Sequence, residues 1–337
     1  MYSADPDRYT GRMPYRRCGK SGLLLPEISL GCWHNFGHTD DQHEARAILR
    51  RAFDRGVTHF DLANNYGPPP GSAEENVGRI LAEDFAAHRD ELIISTKAGH
   101  LMWDGPYGEW GSRKHLLSSL DRSLRRLRLE YVDIFYSHRP DPHTPLEETL
   151  SALATAVHQG KALYVGLSKY PPKRLKAAVK ILKQMGVRCL AYQPPYSILN
   201  RWPEANGNHA WLEEKQIGSI VFSPLAQGML TGKYLHGIPD GSRAARPEGF
   251  LRGEQVEQAH HQIRELAAIA DELGIPLQHL ALRWVLQQPA VTSTIIGART
   301  VAQLDDCLNA VNAPLLDEET LARIDQISPI DPLRPVE

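Results

Sequence analysis

Residues 58–88 read THFDLANNYGPPPGSAEENVGRILAEDFAAH, and this stretch decides the fold. It opens with a short, mainly apolar strand pattern (58–63), and residues 72–88 then repeat apolar side chains at helical spacing. A loop rich in Gly and Pro separates the two patterns, as such residues do at element boundaries. Ser72 followed by Glu75 has the spacing of a capping box, so we expect Ser72 to cap the helix. The stretch therefore predicts one strand–loop–helix unit.

The same unit recurs along the chain. Stretches rich in Val, Ile, Phe and Tyr predict strands at 27–31, 58–63, 92–97, 131–138, 162–168, 189–193, 219–223 and 292–297. Helical patterns lie between them, at 40–56, 72–88, 112–127, 146–160, 172–186 and 301–311. Most of the strands are apolar on both faces, which is typical of parallel sheets covered on both sides. Eight such repeats predict an α/β fold, a closed (β/α)8 TIM barrel.

Two segments lie outside the repeat. YRRC, GKSG and LLLP (15–26) predict an N-terminal β-hairpin. The stretch 224–261 is too long for an ordinary connection, so we expect a functional or mobile long loop after strand seven. No linker interrupts the pattern. We expect one domain over residues 1–337, with its core at about 14–326.

Composition excludes several classes of protein. A net charge of −2 gives no basic field for nucleic acid or an anionic membrane surface. The N-terminus lacks the apolar region of a signal peptide, and the longest apolar runs have the length of strands. The 4 cysteines are scattered, which is typical of reduced thiols in the cytosol. We therefore expect a cytoplasmic protein with no membrane or nucleic-acid partner.

Chemically useful side chains follow three consecutive strands. Asp61 ends strand two, Lys97 ends strand three and His138 ends strand four. In a (β/α)8 barrel these ends share one rim, where active sites are built. Tyr66 lies in the loop after strand two, followed directly by three prolines. Because proline restricts the backbone, we expect an extended, stiff segment (67–71) that positions Tyr66 at the mouth.

These four groups suit the protonation of a carbonyl oxygen. A phenol has an ordinary pKa of about 10, and a nearby ammonium lowers that pKa. Lys97 would lower the pKa of Tyr66 in this way, and Asp61 would keep the lysine charged. His138 would donate a hydrogen bond to the carbonyl. A cofactor must supply the hydride. A metal-dependent hydrolase would need His and carboxylate ligands at several strand ends, and His138 alone has that position, so we expect no metal.

Dispersed motifs resemble the aldo-keto reductase superfamily over about residues 14–326. They are GKSGLLLPEISLG, FDLANNYG, STKAG, IFYSH and VGLS. NNYGPPPGSAEENVGR, SPLAQGMLTGKY and KYLHGIPDGSR are similar to the branch that holds bacterial L-glyceraldehyde 3-phosphate reductases and the β-subunits of voltage-gated potassium channels. The resemblance implies a catalytic tetrad. Its members are Asp61, Tyr66, Lys97 and His138, with Tyr66 as the general acid.

The resemblance also implies NADP(H) extended across the barrel mouth. No G-x-G-x-x-G follows a strand, so a Rossmann site is not expected. Tyr196 is expected to stack on the nicotinamide, and Arg299 to bind the ribose 2′-phosphate. The implied cofactor residues are Trp33, Asp61, Ser168, Gln193, Tyr196, Ser223, Pro224, Leu225, Gln227, Gly228, Lys233, Arg243, Gly297, Arg299, Gln303 and Asp306. The chain departs from many relatives at Lys169 and Cys307, where they have Asn.

By the same resemblance, the substrate is a small aldehyde or ketone, including L-glyceraldehyde 3-phosphate and methylglyoxal-like carbonyls. Aromatic loop residues suit such a pocket. The expected substrate residues are Trp33, His34, Tyr66, Trp103 and His138, with Tyr107 and Trp110 in the same loops. Relatives form homo-oligomers, tetramers or octamers. The alternative is an NADP(H)-binding regulatory subunit like the channel β-subunits, and the short segment before the barrel favours the enzyme.

Overall fold

The computed structural model describes residues 2–240, 242–245 and 251–331. Its centre is a closed barrel of parallel strands in the order β10-β3-β4-β5-β6-β7-β8-β9. The strands are β1 Tyr15–Arg17, β2 Leu24–Pro26, β3 Ile28–Gly31, β4 His59–Asp61, β5 Ile93–Ala98, β6 Val132–Ser137, β7 Ala162–Ser168, β8 Cys189–Gln193, β9 Gly218–Phe222 and β10 Val291–Ile296. β1 and β2 form a separate antiparallel hairpin. The predicted (β/α)8 barrel, with its N-terminal hairpin, is confirmed.

Helices cover the outside of the barrel. They are α1 Gln42–Asp54, α2 Ser72–Asp84, α3 Arg113–Leu127, α4 Leu146–His158, α5 Pro172–Gln184, α6 Trp202–Ala205, α7 Asn208–Lys215, α8 Gly253–Glu272, α9 Leu277–Leu286, α10 Val301–Asn309 and α11 Glu318–Ile327. Local chemistry sets their ends. The Asp41 carboxylate caps α1 by accepting from the backbone N–H groups of His43 and Glu44. No helix in the described ranges is long and apolar enough to cross a membrane.

The hairpin closes the N-terminal end of the barrel. Cys18 and Leu25 pack with Ile134 and Ile220 in the fully buried barrel interior. Gly218 permits this close approach, since a Cβ there would lie 2.3 Å from Cys18 Sγ. A second, larger core lies between the barrel and its helices. Ligands can therefore approach the barrel from its carboxyl-terminal mouth.

Strand register brings the predicted strand-end residues to one rim. Asp61 pairs with Ser95 of β5, and Lys97 pairs with Tyr136 of β6. Ser168 pairs with Gln193 in the same way across β7 and β8. Because side chains alternate along a strand, residues two apart share a face.

The start of α2 differs from the prediction. Gly71, with φ of 94°, is the N-cap, and Ser72 is the first helical residue. Ser72 therefore does not cap the helix, and its hydroxyl instead donates to Pro69 O over 2.6 Å. The expected extended segment is also wrong. Residues 67–71 form a turn, in which Pro68 O accepts from His38 N and Pro69 O from Ser72 N.

The long loop ends earlier than expected. α8 begins at Gly253, so the connection after β9 spans 223–252. It contains short 3-10 segments at Ala226–Thr231 and Arg243–Ala245. Gly241 and residues 246–250, also part of the predicted loop, lie outside the described residues.

Candidate active site

A buried ion pair forms the base of the site. Lys97 Nζ donates to Asp61 Oδ2 over 2.5 Å and to Leu62 O over 2.6 Å. Both side chains are buried, Lys97 completely. The other carboxylate oxygen, Asp61 Oδ1, accepts from Ser95 Oγ over 2.6 Å and from Gln193 Nε2 over 3.1 Å. A buried charge is tolerated when paired and hydrogen-bonded, and Asp61 meets both conditions.

Tyr66 brings its phenol to the same ammonium. Lys97 Nζ lies 3.4 Å from Tyr66 Oη. The backbone of Tyr66 is fixed by its own loop, because its carbonyl accepts from the N–H groups of Gly71 and Ala73. The Gly67–Pro68 and Pro68–Pro69 peptide bonds in this loop are cis. The two hydrogen bonds to the Tyr66 carbonyl hold the residue where its phenol meets Lys97.

Burial and charge act in opposite directions on the two groups. Burial raises the pKa of Tyr66, and Lys97 offsets part of that rise. Burial lowers the pKa of Lys97, but Asp61 and Tyr66 raise it, so the net shift of its pKa is upward. Lys97 is therefore a permanent cation, and Tyr66 is a protonated phenol whose ionised form the ammonium stabilises.

His138 completes the predicted tetrad at the end of β6. Its ring lies 6.0 Å from that of Tyr66 and 4.4 Å from that of His100, centroid to centroid. Burial, then the neighbouring His100 and Lys97, hold the pKa of His138 well below its usual value. The imidazole is therefore neutral. Its Nδ1 is buried and accepts no hydrogen bond from any described residue, which leaves a polar atom for a ligand or water.

Two predicted cofactor residues adjoin the tetrad. Ser168 Oγ donates to Gln193 O over 2.8 Å, and the Gln193 amide donates to Asp61. Both side chains are buried at the rim. The pair offers an amide and a hydroxyl next to the reacting groups, the donors and acceptors that a carboxamide needs.

Three predicted cations converge from separate segments. Lys233 follows the 3-10 segment after β9, Arg243 lies in the second 3-10 segment, and Arg299 precedes α10. Burial lowers the pKa of Lys233, and the nearby charges of Arg243 and Arg299 lower it further. Like charges gathered in this way favour a polyanionic ligand. These residues therefore fit the phosphates of a dinucleotide.

The backbone beside Lys233 is built for close approach. Ser223, Gln227 and Gly228 all have positive φ, of 58°, 60° and 95°. A Cβ at Gly228 would lie 2.7 Å from Lys233 Nζ, so glycine lets the ammonium rest on the chain. Backbone turns of this kind direct N–H groups towards anions.

The match to known proteins is extensive. Residues 27–329 match the Aldo/keto reductase family. The chain belongs to this family. It is 55% identical over 330 residues to L-glyceraldehyde 3-phosphate reductase of Escherichia coli (strain K12), covering 97% of this chain and 95% of that protein. It is 36% identical over 330 residues to a probable voltage-gated potassium channel subunit beta of Arabidopsis thaliana, covering 96% of this chain and 99% of that protein.

This aldo/keto reductase is an oxidoreductase, and one residue predicted for its cofactor site lies elsewhere. Tyr196 is fully buried and packs against Trp284 and His209. Its hydroxyl donates to Glu204 over 2.6 Å. A ring without an exposed face cannot stack on a nicotinamide, so the role predicted for Tyr196 does not fit. Phe222 has a suitable position, because it ends β9 on the inward face shared with Ile220 and is partly exposed.

Some predicted adenosine contacts are engaged within the reductase itself. Gln303 Oε1 accepts from Arg299 N over 3.0 Å. The Asp306 carboxylate accepts from Gln278 Nε2 over 2.6 Å and lies 3.1 Å from His279 Nε2. Gly297 and Arg299 are exposed, whereas Pro224 is buried and Leu225 half-buried. Arg299 thus has the open position among this group.

The predicted aromatic substrate residues divide between two places. Trp33 stacks on His34 at 4.1 Å and lies 5.8 Å from the ring of Tyr66. Trp103 instead packs against His115 and Arg122 of α3. Tyr107 is exposed, and Trp110 lies under the Arg139 guanidinium. Trp33 and His34 therefore share the reacting end of the mouth with Tyr66.

Sequence reasoning missed several polar groups of the site. His100 lies against His138, and Ser95 and His59 lie below Asp61. Period-two alternation could have found two of them, because His59 and Ser95 lie two residues before Asp61 and Lys97 on their strands. His100 lies beyond β5, where no such rule applies. Among the residues that the structure describes, no group of three or more His, Cys, Asp or Glu could hold a metal ion.

Proposed function

We propose that this aldo/keto reductase reduces small aldehydes and ketones to alcohols with NADPH. Its substrates include L-glyceraldehyde 3-phosphate and methylglyoxal-like carbonyls. The observation that carries the proposal is the Tyr66 phenol 3.4 Å from an ammonium that Asp61 holds over 2.5 Å. The 55% identity to a protein named L-glyceraldehyde 3-phosphate reductase supports the phosphorylated triose.

In this proposal the four groups have separate tasks. Bound nicotinamide supplies a hydride to the carbonyl carbon. Tyr66 gives its proton to the oxygen, so carbon gains the hydride, oxygen gains the proton and the product is an alcohol. Lys97 stabilises the phenolate that remains, and Asp61 keeps Lys97 in place. His138, a neutral imidazole, donates a hydrogen bond to the oxygen and orients the carbonyl without losing its proton.

The proposed cofactor residues divide according to the part of NADPH that each would hold. Ser168 and Gln193 would hold the carboxamide, and Phe222 in place of Tyr196 would contact the nicotinamide ring. The backbone at 223–228 and Lys233 bind the pyrophosphate, with Arg243 covering it. Arg299 binds the 2′-phosphate, while Gln303 and Asp306 border the adenine. The convergence of Lys233, Arg243 and Arg299 supports this arrangement.

The proposal extends to the whole chain. Residues 1–337 act as one catalytic domain, which works in the cytoplasm as a homo-oligomer. Sedimentation velocity of the purified protein measures the assembly, and a single monomeric species would contradict it.

The test is NADPH consumption by the purified protein. We expect turnover with L-glyceraldehyde 3-phosphate and with methylglyoxal, and slower turnover when NADH replaces NADPH. Absence of turnover with any short aldehyde would contradict the proposal. The 36% identity to a channel β-subunit favours one alternative, a regulatory subunit that senses NADP(H). That alternative predicts tight NADPH binding without appreciable steady-state turnover.

A further inference from the structure

A chain of hydrogen bonds runs below Asp61 through the barrel interior. Ser95 Oγ, which donates to Asp61 Oδ1, lies 3.0 Å from His59 Nε2. His59 Nδ1 lies 2.9 Å from Ser29 Oγ, and Ser29 Oγ lies 2.6 Å from Ser293 Oγ. His59 and the three serines have no exposed surface. The catalytic tasks proposed above use none of these four side chains.

The ionised carboxylate fixes the direction of every bond in this chain. A carboxylate only accepts hydrogen bonds, so Ser95 donates its single hydroxyl proton to Asp61. Ser95 must then accept from His59, which places the imidazole proton on Nε2. His59 Nδ1 consequently accepts from Ser29. All donors point towards Asp61, and polarised chains of this kind strengthen their terminal bond.

We propose that His59 is a positioning residue that fixes the Ser95 hydroxyl on Asp61 and thereby holds the Asp61 carboxylate in place against Lys97. The inference rests on the proposed reductase function. Without the imidazole N–H, Ser95 can turn towards other acceptors, and Asp61 Oδ1 keeps Gln193 as its donor. A carboxylate that loses one of its donors is held less firmly by its hydrogen-bond network. Lys97, whose ammonium donates to Asp61, is then placed less precisely beside Tyr66.

Other ionisable groups also lie close to Asp61. Lys97 of β5 donates to Asp61 directly, and Tyr66 of the loop after β4 contacts Lys97. Burial, and then the charge of Asp61, raise the pKa of Cys32, which follows β3, and that of Tyr136 in β6. Both groups therefore stay neutral at ordinary pH. His59 stays neutral too, because burial lowers its pKa to about 4. Lys97 and Tyr66 therefore carry the pH dependence.

The test compares His59→Leu with His59→Gln. Leucine removes the donor, whereas the glutamine amide offers an N–H to Ser95. For His59→Leu we expect kcat for aldehyde reduction to fall about 10-fold. The alkaline limb of the pH profile should move up by about one unit, because a displaced ammonium stabilises the Tyr66 phenolate less and so raises the pKa of Tyr66. NADPH affinity should stay within about twofold, which reports an intact fold. His59→Gln should recover most of both effects.

A second measurement is independent of turnover. ¹⁵N NMR of histidine-labelled wild type should show His59 as the neutral Nε2–H tautomer, and Ser29→Ala should disturb that signal. A wild-type Nδ1–H tautomer would overturn the inference. An unchanged rate and pH profile in His59→Leu would also overturn it, as would equal impairment of both His59 variants, which indicates packing alone. A wild type that reduces no aldehyde would instead sink the proposed function, and the NMR result would still decide the direction of the chain.

Discussion

At the scale of single residues, the site depends on the hydrogen bonds that the Asp61 carboxylate accepts. Its two oxygens accept from Lys97, Ser95 and Gln193, all of them buried. Removing one partner of a buried ion pair typically costs about 3–5 kcal/mol, because the remaining charge is left uncompensated. Lys97, with no exposed surface, could not hold its charge without Asp61. The tetrad is therefore an electrostatic unit whose members support one another.

Buried neutral histidines make the fold sensitive to acid. Burial lowers the pKa of both His59 and His209 from 6.5 to about 4. Between these values the unfolded chain binds more protons than the folded one, so the free energy of unfolding falls as pH drops from about 6.5 towards 4. The limiting loss is on the order of 3 kcal/mol per histidine. Urea unfolding at about pH 7 and about pH 4.5 measures it.

His209→Gln separates this contribution from general acid effects. The variant should lose less stability between the two pH values than wild type does, because glutamine does not titrate. His43, which is exposed, provides the matched histidine-to-glutamine control, measured at the same two pH values. A wild-type slope retained in His209→Gln would contradict the assignment.

At the scale of elements, α2 and α3 hold the catalytic strand from outside. Glu74 of α2 is fully buried, accepts from Thr96 of β5 over 2.5 Å and pairs with Arg126 of α3 at 2.7 Å. Thr96 directly precedes Lys97. Gly78 lets the two helices meet, since a Cβ there would lie 2.2 Å from Arg126 O. The position of Lys97 therefore depends on contacts outside the barrel.

Gly78→Ala tests this helix contact. In an open helix the change would stabilise by about 1 kcal/mol through helix propensity. Here the obstructing atoms belong to the backbone, so we expect the cost of overpacking to exceed the gain in helix propensity. The free energy of unfolding, measured in urea, should fall by about 1–3 kcal/mol. Gly22→Ala is the matched control, because a Cβ there meets nothing within 4 Å. Equal or greater stability of Gly78→Ala would show that α2 and α3 can separate without cost.

At the scale of the whole molecule, periodicity in the sequence predicted the barrel and its rim. β7 and β8 have the predicted bounds, because their apolar runs end at polar side chains. The turn after Tyr66 and the cap of α2 were wrong, since backbone hydrogen bonds from His38 and Gly71 shape that loop. Tyr196 was misplaced because its burial depends on α9, which is distant in sequence. Contacts between distant segments carry no local signal.

The fold also gathers charge from distant segments for the cofactor. We expect NADPH to bind more tightly than NADH, with Arg299 carrying much of the difference. A charge-assisted contact to the 2′-phosphate contributes about 1.5–3 kcal/mol, or about one to two decades of affinity. Titration of both cofactors into wild type and Arg299→Gln measures this. An equal loss of affinity for NADPH and NADH in Arg299→Gln would show that Arg299 does not bind the 2′-phosphate.

The most direct test of the proton donor is Tyr66→Phe with L-glyceraldehyde 3-phosphate. This change removes the phenolic oxygen 3.4 Å from Lys97 Nζ and leaves the ring that lies beside Trp33. We predict that NADPH binding stays within about twofold, while kcat for reduction falls by at least about 100-fold, the usual size of a general-acid contribution. Retention of near-wild-type kcat by Tyr66→Phe would contradict the account.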